Sequence, residues 1–255
     1  MQDPWRLDGR VAVVTGASRG LGRAVAAELL ARGATVLLVA RGAADLEATV
    51  AALQVDGRAV GLSADVGTEA GRVAVLDAVR ARWDRLDVLV CNAGTNVRKP
   101  TQAATLADWE HIAQTNVVSA WALCQGSYNW LLGSPSPSVI LMGSVASQRA
   151  VRTSTAIYAM SKGALDGLVR YLACTWGPDG IRVNLVAPWY VATPLASAVL
   201  ADPEKRQAIL DRTPLGRVGA PEDVARAVAF LATPASGWIT GITLPVDGGF
   251  SALGL

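Results

Sequence analysis

The chain has 255 residues, of which 51% are hydrophobic and 17% charged, and its net charge is +2. That composition suits one large domain with a substantial core and argues against disorder. No like-charge block suggests a nucleic acid or an anionic membrane, and apolar runs such as 36–40 are far too short to span a bilayer.

In chain order, 11–14 reads as a buried strand. It enters a glycine-rich turn at 15–22, and a helical pattern then runs to about Arg32. Strand patterns follow at 35–40, 58–62, 86–91, 138–142, 181–187 and 242–246. Helical patterns fall between them, at about 43–54, 67–83, 106–131, 156–176, 195–212 and 221–232. This alternation predicts an α/β fold: a single-domain, Rossmann-type, doubly wound parallel sheet with helices on both faces, spanning residues 1–255.

The N-terminus shows no apolar core of a signal peptide. The three cysteines, Cys91, Cys124 and Cys174, read as reduced core residues, so a cytoplasmic protein is expected. With one histidine, His111, on a solvated helix face, and no Cys/His cluster, no metal site is expected.

Gly16, Gly20 and Gly22 stand between the first strand and the first helix. That spacing allows a tight turn and presents helix amides to a pyrophosphate. An NAD site places an acid after the second strand to bind the ribose 2′-hydroxyl. Ala40 and Arg41 stand there instead, and Arg19 lies in the turn. Two guanidiniums suit a 2′-phosphate, which favours NADP(H).

Tyr158 and Lys162 are four residues apart at the start of a long helical pattern, so they share a face about 6 Å apart along the axis. The chain has 23 Lys and Arg together, yet only Lys99, Lys162 and Lys205 are lysine; a compact tunable charge was kept beside the phenol. An ammonium there favours the phenolate, although moving a tyrosine to near neutrality takes about 4 kcal/mol and a second positive charge would help.

Together these stretches resemble the short-chain dehydrogenase/reductase family over essentially the whole chain. The resemblance rests on Thr15-Gly16-x-x-x-Gly20-x-Gly22, Asp65-Val66, Cys91-Asn92-Ala93-Gly94, Asn116, Ser144, Tyr158-x-x-x-Lys162 and the 188–193 segment. Trp189 replaces the family's glycine after Pro188. The resemblance implies a catalytic set of Asn116, Ser144, Tyr158 and Lys162. It implies cofactor contacts from Gly16, Ser18, Arg19, Gly20, Leu21, Gly22, Arg41, Asp65, Val66, Asn92, Ala93, Gly94, Tyr158, Lys162, Pro188, Val191 and Thr193.

In that scheme Tyr158 gives or takes the proton at the carbonyl oxygen, and Ser144 polarises the same oxygen. Lys162 lowers the phenol pKa and holds the nicotinamide ribose, and Asn116 anchors a water. Substrate contacts are expected from Val145, Ala146, Val151, Trp189, Tyr190 and Leu195, within a wall at 145–155 and a lid at about 189–213. The stretches 94–101 and 212–219 are similar to the tropinone-reductase-like branch, which implies an NADPH-dependent ketone reductase or alcohol dehydrogenase.

No acid in the pocket segments would pair a cationic amine, so a neutral, fairly apolar ketone is expected. The alternatives are a 3-oxoacyl-thioester reductase, which the non-basic Cys174 disfavours, and a non-catalytic dinucleotide binder, which the complete catalytic set disfavours. The resemblance also implies a homotetramer or homodimer formed through the helices at 106–131 and 156–176 and through the C-terminal helix and strand.

Overall fold

In a computed structural model, residues 3–53, 55–83, 85–151 and 154–253 are described. Seven strands form one parallel sheet in the order β3-β2-β1-β4-β5-β6-β7. They are β1 (Val11–Thr15), β2 (Thr35–Ala40), β3 (Ala59–Ser63), β4 (Val88–Cys91), β5 (Ser138–Met142), β6 (Arg182–Pro188) and β7 (Thr243–Val246). Consecutive residues of a strand point to opposite faces, which explains why these strands read as unbroken apolar runs.

Ala12, Val14, Val36, Leu38, Val88 and Val90 pack under helices α1 (Gly20–Ala31), α2 (Ala43–Ala52) and α9 (Pro221–Ala232). Val11, Val13, Leu37, Val39, Leu89 and Leu141 pack on the other face, under α3 (Glu69–Arg82), α5 (Ser119–Leu132) and α6 (Ala156–Trp176).

Three expectations need correcting. The helix expected at 106–131 is α4 (Leu106–Ala113) joined to α5 by a π-helical turn, Gln114–Val118, which carries Asn116. The helix expected at 195–212 is two, α7 (Ser197–Leu200) and α8 (Pro203–Asp211). Asp202 caps α8 by accepting from the amides of Glu204 and Lys205, and Pro203 begins it. Cys174 is exposed on α6, whereas Cys91 and Cys124 are buried. His111 is exposed on α4.

The strand order reverses between β1 and β4, which opens a crevice at their carboxyl ends. Asn92 spans it: its side-chain amide donates to Thr15 O at 2.8 Å, and Thr15 Oγ1 accepts from the amides of Asn92 and Ala93 at 3.0 Å each.

Candidate active site

The crevice holds a cavity of about 680 Å³. Every residue assigned above to the cofactor lines it, from Gly16 to Thr193. At one end is the turn into α1. Gly16 has φ +66°, in the left-handed region, and a Cβ there would press on the Ala93 backbone at 3.0 Å. A Cβ on Gly22 would run into the Gly16 carbonyl oxygen and the Asn92 side chain.

Helix α1 begins at Arg19 with no side-chain cap and no acid in its first turn, whereas Thr68, Thr105 and Thr155 cap α3, α4 and α6. Its first amides and its positive dipole end are presented to the cavity, which suits a diphosphate. Arg19 and Arg41 line this end and are exposed. Arg41 Nη1 is 3.8 Å from Asp65 Oδ2. Asp45, four residues after Arg41 in the first turn of α2, also lines this end; sequence reasoning missed it, although the spacing on a helix start was the available signal.

Tyr158 and Lys162 form the other end, one turn apart on α6 as the spacing predicts. Thr155 caps this helix by accepting from the Tyr158 amide at 3.4 Å, and its hydroxyl reaches Asn96 Oδ1 at 3.1 Å, tying the helix start to the loop after β4. Lys162 is buried and its ammonium donates to Met142 O at 2.7 Å. Burial brings its pKa down to about 8.

The Lys162 Nζ lies 5.7 Å from the Tyr158 ring centroid. Here the phenol departs from the expected direction. Burial pushes its pKa up, the hydrogen bond with Ser144 and the Arg98 guanidinium act to lower it, and the Tyr190 phenol adds to the rise. Desolvation outweighs the groups that lower it.

Asn116 is buried in the π-helical turn. Its Oδ1 accepts from the Thr95 amide at 2.8 Å, and its Nδ2 donates to Thr95 O and Ser161 Oγ at 3.0 Å each. These partners fix the Gly94–Thr95 backbone beside Lys162: a Cβ on Gly94 would stand 3.5 Å from both Asn116 Oδ1 and Lys162 Nζ.

Of the expected substrate residues, Trp189, Tyr190 and Leu195 line the cavity. Val145 and Ala146 are instead buried in the 3-10 turn after Ser144, and Val151 does not line the cavity either. The turn directs these apolar side chains inward, while the expected wall at 145–155 reaches the cavity through Ser154; residues 152–153 lie outside the described residues. Arg98 was missed. It lines the cavity and donates from Nη2 to Leu195 O at 3.1 Å, joining the loop after β4 to the lid. Among the described residues no group of His, Cys, Asp and Glu could hold a metal ion, and no helix is long and apolar enough to cross a membrane.

A family model described as enoyl-(acyl carrier protein) reductase matches residues 16–251. Two tropinone reductase homologs of Arabidopsis thaliana are each 42% identical over 98% of this chain, covering 93% and 95% of their own lengths. The chain belongs to the short-chain dehydrogenase/reductase family. Membership makes it an oxidoreductase of a family that binds a nicotinamide dinucleotide.

Solved relatives share the fold throughout. A gluconate 5-dehydrogenase from Burkholderia cenocepacia, in complex with NADP and tartrate, superposes with a TM-score of 0.92 at 32% identity over 99% of each chain. RhlG of Pseudomonas aeruginosa, solved as an active-site complex with NADP, superposes at 0.92 and 35% identity over 98% of this chain and 99% of its own.

Proposed function

We propose that the protein is an NADPH-dependent carbonyl reductase, working in reverse as an alcohol dehydrogenase. One observation carries this reading: Tyr158 and Lys162 stand at one end of the cavity whose other end is the uncapped turn into α1. Arg19 and Arg41 at the adenosine end support the phosphorylated cofactor, as do the NADP complexes of the two solved relatives. When bound there, NADPH supplies the hydride for the carbonyl carbon.

The remaining chemistry belongs to the chain. The raised pKa of Tyr158 keeps the phenol protonated at neutral pH, as a general acid requires, and its proton goes to the carbonyl oxygen as charge develops there. Ser144 Oγ, bonded to the same phenol, donates to that oxygen and stabilises it. Lys162, with a pKa of about 8, is a stronger acid than the phenol and returns the proton. Asn116 acts as a positioning residue, through the Gly94–Thr95 backbone it holds.

The test follows NADPH consumption across a panel of ketones. Tyr158→Phe is expected to lower kcat by about 100- to 10,000-fold while the NADPH Kd persists. Retained turnover would overturn the role of Tyr158, and a wild type whose NADPH consumption no carbonyl compound stimulates would overturn the reading. The reading includes self-association through α5 and α6, whose Trp121, Leu132, Met160 and Tyr171 are exposed; light scattering showing only a monomer would remove that part.

A further inference from the structure

A second cavity, of about 360 Å³, lies behind the lid. Trp189, Tyr190 and Val191 line both cavities, so this short segment is the wall between them. The wall is braced at one residue. The Trp189 indole stacks on Phe250 with ring centroids 3.7 Å apart and planes 9° from parallel, and it meets the Tyr190 ring edge-on at 4.8 Å. Its Nε1 donates to Thr213 Oγ1 at 3.1 Å, and the Thr213 hydroxyl donates onward to Ile209 O at 2.7 Å. Thr213 and Phe250 are both buried. The indole therefore ties together the strand end, the end of α8 and the C-terminal turn.

A lone surface tryptophan needs none of these. A ring held on one face, on one edge and by its only hydrogen-bond donor has a fixed position, and aromatic contacts of this geometry resist displacement. Glycine at 189 would remove the ring and with it the contacts to Phe250, Tyr190 and Thr213.

We propose that Trp189 is a specificity-determining residue, whose braced indole closes the second cavity to the substrate and restricts the enzyme to compact carbonyl compounds. Phe250 and Thr213 are positioning residues for it, acting from outside the cofactor cavity. The proposal deepens the carbonyl-reductase reading and rests on it for the nature of the substrate.

The experiment compares cyclohexanone with the bicyclic 2-decalone in the full-length enzyme. Trp189→Gly is expected to raise the ratio of kcat/KM for 2-decalone over cyclohexanone by about tenfold or more, through KM, since added apolar area must find room to bind. Phe250→Leu and Thr213→Val keep the indole but loosen it; they are expected to move the ratio the same way by a smaller factor, with the NADPH Kd within about threefold of wild type.

Binding of the same two ketones to the enzyme–NADP complex, measured by calorimetry, gives the ratio without turnover. A changed binding ratio with no turnover in any variant would sink the reductase reading and leave the partition standing. Unchanged ratios by both measurements in the folded variants, or no binding of 2-decalone by any of them, would overturn the partition.

Discussion

The two ends of the sheet solve opposite problems. At the amino ends of β1, β4 and β5, the buried Asp87 carboxylate is saturated. Arg10 Nη1 and Ser134 Oγ reach Oδ1 at 3.1 and 2.6 Å, and Arg85 Nε and the Val11 amide reach Oδ2 at 3.1 and 2.8 Å. Beside it, at the start of β6, Arg182 donates to Leu231 O and Ser236 Oγ at 2.8 Å each and to Thr233 O at 3.3 Å, so a cation sits at the C-terminus of α9. Among the described residues Arg182 meets no carboxylate, and burial brings its pKa down to about 10.

At the carboxyl ends, among the described residues, α1 has no capping side chain and the buried Lys162 ammonium has a single carbonyl partner. One end spends its polar groups on one another; the other leaves them facing a cavity. The difference shows where the fold tolerates unpaired polarity, because only there can a ligand complete it.

The largest effect is expected at the saturated end. Asp87→Ala would leave two arginines, a hydroxyl and an amide without their shared acceptor, so a loss of about 3–5 kcal/mol is expected. Chemical denaturation measures it. A loss under about 1 kcal/mol would mean that the network is surface decoration, and the contrast between the two ends would disappear.

Much of the working end was legible in the sequence, and little of the structural end. The glycine turn, Asn92 and the Tyr158–Lys162 pair are local patterns whose spacing carries their geometry. Asp87 sits between Leu86 and Val88 and reads as a strand residue, because its partners Arg10 and Val11 lie 77 and 76 positions away. Trp189 was visible as a departure from glycine, yet its function depends on Thr213 and Phe250, which only the fold brings to it. Arg98 and Leu195 are 97 residues apart and meet through the lid. The break between α7 and α8 was legible, since Asp202-Pro203 is a local start signal.

At the working end, Lys162 should cost stability. Its folded pKa of about 8 lies below the ordinary lysine value of 10.5, so the unfolded chain binds the proton more tightly. The cost is fully present below pH 8, where both states are protonated. Stability then rises with pH between 8 and 10.5, as the folded state releases its proton first, and the cost is gone above that window. The shift corresponds to about 3 kcal/mol, against about 1 kcal/mol for the bond to Met142. Lys162→Met should therefore be about 1–2 kcal/mol more stable than wild type at pH 7, with the gap narrowing by pH 10, while turnover is lost. A variant less stable than wild type at both pH values would show that this buried charge is as well satisfied as Asp87.

The smallest effect is expected at the adenosine end, where solvent screens every charge. The Arg41–Asp65 contact is long and exposed, so it contributes little to stability, and breaking it should leave the Tm within about a degree. Its worth lies in the guanidinium it holds at the cavity edge, since a 2′-phosphate brings more charge than the Asp65 carboxylate and accepts from arginine in a fork. Arg41→Asp reverses that charge beside Asp45 and Asp65, which both line the same end. The NADPH/NADH preference in kcat/KM should then fall by about tenfold, or about 1.4 kcal/mol. An unchanged preference would assign the 2′-phosphate to Arg19 alone, which stands on the turn into α1, and the double variant with Arg19→Gln would then carry the whole effect.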